Sequence, residues 1–222
     1  MSAPLLVFDL DGTLIDTAPD LIDALNVVFA REGLPAVPYA TARRLIGGGA
    51  RAMIMRGLEA EGRVLNPIQV ERLFKDFIAH YAEHIADRSR PFPGLLEALD
   101  ELATRGHRFA VCTNKLEGLS VLLLRQLDLI GRFAVICGQD TFGIQKPDPG
   151  ILHRTIAAAG GQPDRAIMVG DSETDIRTAK AAGVPIVAVD FGYTETPVAE
   201  FQPDRVISHF AQLPQTVAAL AH

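Results

Sequence analysis

From residue 91 to the C-terminus, short apolar runs alternate with stretches of helical periodicity, and this alternation limits the fold more tightly than any other feature. Runs at 109–112, 133–137, 166–169 and 185–189, with a shorter one at 206–207, have strand length and are rich in branched apolar residues. Between them, 95–104, 116–127, 148–159, 176–182 and a stretch beginning near 208 carry apolar residues at helical spacing. Strands and helices in that rhythm build a parallel sheet with helices on both faces. The run Leu5-Leu6-Val7-Phe8 belongs to the same sheet, although residues 16–89 separate it from the rest. That intervening segment reads as nearly all helix, with no strand. Asp16-Thr17-Ala18-Pro19 starts one helix with a capping residue and a proline in its first turn. Leu21, Ala24, Leu25, Val28 and Phe29 continue it, and Gly33 stops it. Further helices are expected at 41–46, 50–61 and 68–86, the last with Leu73, Phe77 and Tyr81 on one face. The fold class is therefore α/β. A doubly wound, Rossmann-like parallel-sheet core is expected at 1–15 and 90–222, with an all-helical domain inserted at 16–89.

Composition excludes several function classes. The chain has 222 residues and a formal net charge of -6, the wrong sign for a surface that binds nucleic acid through its phosphates. Two cysteines, Cys112 and Cys137, lie in apolar runs and read as small buried hydrophobes in a reducing compartment. No apolar run reaches the ~18 residues that a membrane span requires, and the N-terminus does not read as a signal peptide. A cytoplasmic protein with no membrane or nucleic-acid partner is expected; its amphipathic helices leave monomer and homodimer both open.

Ligands of an open parallel sheet bind beyond the carboxyl ends of its strands, and four polar clusters fall there. Asp9 and Asp11 follow the first strand at i and i+2, where two side chains of an extended chain share a face. Two anions so close invite a hard cation such as Mg2+, and Gly12 permits a tight turn near the ligand. Thr113-Asn114 follows the strand ending at Cys112 and precedes a helix, a junction suited to phosphate. Lys146 stands in a loop stiffened by Pro147 and Pro149, as a point charge able to neutralise a phosphoryl oxygen or an acidic site. Asp171 follows another strand and Asp175 lies one helical turn on, so one can ligate a metal while the other supports it. Each cluster alone also reads as a helix cap or a solvated loop; their joint placement at strand ends argues for a site.

The ordered set Asp9-Leu10-Asp11-Gly12-Thr13, Thr113-Asn114, Lys146-Pro147 and Gly170-Asp171 with Asp175 resembles the haloacid dehalogenase superfamily of phosphohydrolases. The resemblance spans the whole chain, and the helical insertion at 16–89 matches that family's cap. It implies Asp9 as the nucleophile that forms a phosphoaspartate. Asp11 is then the general acid for the leaving alcohol and afterwards the base for water. Thr113 and Lys146 would bind the phosphoryl group, with Asn114 beside them. Mg2+ would be held by Asp9, the Asp11 main-chain carbonyl and Asp171, with Asp175 in support. Hydrolysis of a phosphate monoester is among the slowest uncatalysed reactions, so charge stabilisation must supply most of the acceleration.

Within that superfamily the presence of Asp11 argues against carbon–halogen hydrolysis. Lys75, the only lysine of 16–89, is placed mid-helix, which argues against Schiff-base phosphonate cleavage. The segment 16–23 lacks the hinge histidine of the phosphosugar mutases. Stretches such as Leu45-Ile46-Gly47-Gly48-Gly49-Ala50 and Thr113-Asn114-Lys115 are similar to bacterial phosphoglycolate phosphatases. The glycine run, centred on Gly48 and flanked by Arg43, Arg44 and Arg51, suits the carboxylate of a small phosphorylated metabolite such as 2-phosphoglycolate. A plain helix-to-helix turn, pyrophosphate or another small ester as substrate, and a non-catalytic binding protein stand as the alternatives.

Overall fold

A computed structural model describes residues 3–220. Its centre is a six-stranded parallel sheet built from β1 (Leu5–Phe8), β4 (Arg108–Cys112), β5 (Phe133–Cys137), β6 (Ala166–Gly170), β7 (Ile186–Val189) and β8 (Arg205–Ile207), in the order β5-β4-β1-β6-β7-β8. Successive side chains of a strand point to opposite faces, and β1 shows how both faces are buried. Leu6 and Phe8 pack with α5 (Leu95–Thr104), α6 (Glu117–Gln126) and α9 (Leu213–Leu220). Leu5 and Val7 pack with α7 (Pro149–Ala158) and α8 (Glu173–Ala182). The chain steps outward from β1 through β4 to β5, then crosses back to place β6 on the other flank of β1. The crevice where the winding reverses lies at the carboxyl ends of β1 and β6, the position where sheets of this kind bind ligands.

Four helices lie between β1 and α5: α1 (Ala18–Arg31), α2 (Tyr39–Arg43), α3 (Ala50–Ala60) and α4 (Pro67–Glu83). Their apolar faces form one continuous buried cluster with the α5 and α6 side of the sheet, including Phe29, Phe77 and Tyr81. The chain leaves and re-enters the core through a short antiparallel pair, β2 (Ile15–Asp16) against β3 (Arg90–Pro91). Asp16 therefore lies in a strand, where the sequence reading placed none. Asp20 fastens this hinge: its buried carboxylate accepts from the backbone N–H of Arg88 and Ser89 and from the Ser89 hydroxyl.

The second helix starts earlier than expected, at Tyr39 instead of 41, and ends at Arg43; Arg44, Leu45 and Ile46 continue in tighter turns before three glycines at 47–49, all with positive φ, carry the chain away. The fourth begins under a reciprocal cap between Asn66 and Gln69 and ends at Glu83, short of 86. Thr17 stands at the N-cap position of α1, but its hydroxyl makes no capping bond there. It is diverted to Asp11.

Candidate active site

Each core cluster stands where a strand runs out of partners. Asp9 follows β1, and its N–H still donates to the Val169 carbonyl at 2.9 Å, so its position is fixed by the sheet. Asp171 follows β6 directly. Thr113 follows β4, its N–H bonded to the Cys137 carbonyl at 3.0 Å. Lys146 arrives on the loop after β5, and Asn114 clamps that loop: its Oδ1 accepts from the Lys146 N–H at 2.8 Å and its Nδ2 donates to the Lys146 carbonyl at 3.0 Å. Asn114 therefore fixes the position of Lys146 through its backbone.

Carboxylates outnumber cations at the centre. Asp9, Asp171 and Asp175 each offer an oxygen within 4.8 Å of the others. The Lys146 ammonium donates to Asp175 Oδ1 at 2.6 Å and sits 2.8 Å from Asp9 Oδ1 at ion-pair distance. It lacks hydrogen-bond geometry toward Asp9, whose Oδ1 is buried with no donor among the described residues. Burial pushes the Asp9 carboxyl up to about 6; Lys146 opposes this and Asp175 adds to it. Burial also raises Asp171, to about 8, reinforced by the charges of Asp175 and Asp9 and opposed by donors from Tyr193 and Thr13. Lys146 is lowered by burial, but Asp175 and Asp9 outweigh that and hold it firmly protonated. Three buried carboxylates, one ammonium and one orphaned oxygen fit a divalent cation, which prefers hard oxygen donors.

Asp171 is aimed by Thr13, whose hydroxyl donates to Oδ1 at 2.8 Å, and by the Tyr193 N–H, which donates to Oδ2 at 2.9 Å. Only a glycine at 192 lets the backbone come so near, since a Cβ there would stand 2.2 Å from the Asp171 oxygen. Asp175 belongs to the support. Its Oδ2 accepts from the N–H groups of Asp171 and Ser172 and from the Ser172 hydroxyl, while its Oδ1 holds Lys146. Asp175 thus orients Lys146 and the start of α8 at the edge of the carboxylate group.

The Asp11 carboxylate stands outside this group of three, although it lines the same cavity as Asp9. Strand β1 stops at Phe8, so Asp9 and Asp11 do not lie on one extended strand. The Leu10 carbonyl gathers the N–H groups of Thr13, Leu14 and Ile15, and the resulting turn swings the Asp11 carboxylate toward the helical block. There its oxygens accept from the Lys115 ammonium at 3.0 and 3.2 Å, and Oδ1 also accepts from the Thr17 hydroxyl at 2.8 Å. The Lys115 ammonium donates as well to the Tyr81 hydroxyl of α4 at 2.8 Å. Neither Lys115 nor Tyr81 was assigned a role from sequence; Tyr81 reads there as one more apolar residue on a helix face.

A cavity of about 330 Å³ opens above these groups. Asp9, Asp11, Thr113, Lys115 and Lys146 line its floor, and the run from Gly47 to Ala50, with Tyr81, lines its roof. Gly48 is thus placed at the cavity. Of the flanking arginines, Arg44 reaches the rim and pairs with Glu195 at 3.1 Å. Arg43 bonds the Phe191 and Gly192 carbonyls and lies over the Tyr193 ring, tying α2 to the core. Arg51 does not line the cavity: its guanidinium turns to Glu71 at 2.8 Å and stacks on Phe74. Arg56 does line it, braced on the carbonyls of Leu45 and Gly47. At roughly 100° per residue, five helical positions turn a side chain to another face of α3, which is why Arg56 faces the cavity and Arg51, nearer the glycine run in sequence, faces away from it.

The haloacid dehalogenase-like hydrolase family model matches residues 6–189. The chain belongs to that family. A phosphoglycolate phosphatase of Mesorhizobium japonicum is 54% identical over 96% of this chain and 94% of its own length. One from Agrobacterium fabrum is 47% identical over 95% and 91%. Among solved structures, a predicted phosphoglycolate phosphatase from Haemophilus somnus superposes with a TM-score of 0.91 at 28% identity, covering 97% of this chain and 98% of its own. CbbY from Rhodobacter sphaeroides, solved in complex with phosphate, superposes with a TM-score of 0.81 at 26% identity, covering 95% and 96%. This family member is an enzyme, a phosphatase. None of its described helices is long and apolar enough to cross a membrane.

Proposed function

We propose that this phosphatase hydrolyses 2-phosphoglycolate through a phosphoaspartate on Asp9, with Mg2+ as its cofactor, in the cytoplasm. Residues 16–89 serve as a cap over a catalytic core made of 1–15 and 90–222. One observation carries the reading: the Asp9 carboxylate, with one oxygen lacking a donor, lies between Lys146 and Asp171 under a small cavity roofed by a glycine run. At 330 Å³ the cavity stands at the lower end of the ~300–1,000 Å³ typical of small-molecule sites, a size suited to a small ester.

Asp9 attacks phosphorus, the bond to the ester oxygen breaks, and its electron pair goes to that oxygen, which takes the proton of Asp11. Water then attacks the phosphoaspartate and gives a proton to Asp11. The bond to Asp9 breaks with its electrons returning to the carboxylate, and orthophosphate leaves. A carboxylate nucleophile thus divides one slow displacement into two easier ones. Lys146 and Thr113 hold the phosphoryl oxygens, and Asp175 keeps Lys146 charged and aimed. Asp9 and Asp171, with the Asp11 main-chain carbonyl, would hold Mg2+, whose positive charge offsets that building on the phosphoryl group. Opposite them, the N–H groups of Gly47, Gly48, Gly49 and Ala50 make no backbone hydrogen bond among the described residues. They lead into the N-terminus of α3, an electropositive end suited to a carboxylate. The names of the similar proteins above point to the same ester.

The test is a panel of 2-phosphoglycolate, pyrophosphate, sugar phosphates and a nucleoside monophosphate, assayed with and without Mg2+. A dominant kcat/KM for 2-phosphoglycolate, lost in Asp9→Asn, supports the reading. A flat profile or a preference for pyrophosphate would discard the substrate.

A further inference from the structure

We propose that Lys115 is the cation that reads the substrate carboxylate, exchanging Asp11 for it when the substrate binds. The inference rests on the reading of this enzyme as a 2-phosphoglycolate phosphatase. Lys115 is buried where the floor of the cavity meets α4. An ammonium carries three N–H groups, and its contacts account for all of them: both oxygens of Asp11 and the Tyr81 hydroxyl. Asp11 is its ion-pair partner among the described residues. A buried cation is costly to leave unpaired, so Asp11 can turn to the ester oxygen only if another anion takes its place on Lys115.

The substrate brings that anion. In 2-phosphoglycolate one methylene separates the ester oxygen from a carboxylate. Asp11 serves the ester oxygen, so a carboxylate one carbon further on falls beside the ammonium that Asp11 already touches. Exchanging one carboxylate for another keeps Lys115 paired and seated against Tyr81. A neutral group at the same position offers no such exchange and leaves Asp11 held on Lys115; freed by the exchange, the Asp11 carboxylate takes a proton from solvent and passes it to the ester oxygen. The cap wall converges on the same place: Gly49 packs so near the Asn114 carbonyl that a Cβ there would lie 2.9 Å from it, beside Lys115. The arginines of the cavity are engaged elsewhere, Arg44 by Glu195 and Arg56 by the carbonyls of Leu45 and Gly47.

The experiment compares kcat/KM for 2-phosphoglycolate and for 2-hydroxyethyl phosphate, which replaces the carboxylate by a neutral alcohol. Both esters are assayed in wild type, Lys115→Met, Lys115→Arg and Tyr81→Phe. A charge-assisted hydrogen bond supplies enough energy that Lys115→Met should reduce the preference for 2-phosphoglycolate about tenfold or more. Lys115→Arg, which keeps the charge, should restore part of it. Tyr81→Phe keeps the ring and tests the same link in a milder variant, with a smaller loss of preference. Equal fractional losses on the two esters in both Lys115→Met and Tyr81→Phe would overturn the proposal, because a general structural defect does not distinguish them. A wild type indifferent to the carboxylate would overturn the substrate reading as well, and would be seen before any variant is made.

Discussion

Replacing Gly49 by alanine should disable turnover far more than it destabilises the chain. Gly49 has φ 87 and ψ 170, a region open in practice only to glycine, where another residue costs about 1–3 kcal/mol. The added Cβ would lie 2.9 Å from the Asn114 carbonyl, and a backbone atom cannot rotate out of the way. The strain and the collision are both relieved if the glycine run lifts from the core, taking the roof of the cavity with it. If about 2 kcal/mol is charged against the closed, working arrangement, kcat/KM falls roughly 30-fold, within about 5- to 150-fold for the whole range. The assay is kcat/KM for 2-phosphoglycolate beside thermal denaturation, with Gly62→Ala as the comparison. Gly62 also has positive φ, 62°, but nothing lies within 4 Å of its Cβ position and it is exposed, remote from the cavity. Gly62→Ala should lose about 1–2 kcal/mol of stability from its left-handed backbone and keep its kcat/KM. Activity within twofold of wild type in Gly49→Ala, or equal activity losses in the two variants, would refute the argument.

Other expectations follow from the charges and bonds of the site. Asp171 and Asp9 are raised above their unfolded values, so their contribution to stability is present at low pH and is lost as pH rises from about 4 through 6 and 8. Without metal the protein should therefore melt at a lower temperature at pH 8 than at pH 5. Mg2+ should reverse that loss, and its affinity, measured by calorimetry, should tighten as pH rises because protons compete for the same oxygens. Tyr193→Phe removes a hydroxyl that accepts from the Ala18 N–H at 2.9 Å and donates to Asp16 at 2.7 Å. It should cost about 1–2 kcal/mol and lower Tm by about 2–8 °C, and an unchanged Tm would remove Tyr193 from the hinge. Asp20→Ala leaves two buried donors at Ser89 and a partly buried one at Arg88 without their acceptor. A loss of about 3–5 kcal/mol in denaturant unfolding is expected, against less than 1 kcal/mol if the clamp is inert.

The sheet was legible because each strand is a continuous apolar run that must be buried on both faces, and because polar residues appear abruptly where those runs end. Asp9, Thr113 and Asp171 stand at that change of character, whereas Lys146 lies further along the loop after β5, marked by its flanking prolines. The fate of Asp11 was not legible, since whether a chain stays extended for two residues past Phe8 depends on the bonds converging on the Leu10 carbonyl. Lys115 is adjacent to Thr113-Asn114 in sequence, but its partner Tyr81 comes from another helix, and no local pattern announces that meeting. Arg51 and Arg56 differ by helical phase, and only the orientation of α3 on the core decides which of them faces the cavity. Thr17 carries a capping residue's identity and sits at the cap position, yet the half-buried Asp11 carboxylate competed for its hydroxyl and won.

The pairing of Ile15–Asp16 with Arg90–Pro91 brings the departure and the return of the four-helix segment side by side. Everything between those two crossings can be exchanged without rethreading a single strand of the sheet. A chimera joined at Ile15 and Arg90 would inherit the phosphate chemistry from one parent and the choice of ester largely from the other. Lys115, rooted in the core but leaning on Tyr81, is a place where such a graft would have to be matched on both sides of the seam, as are the contacts of Arg43 and Tyr193.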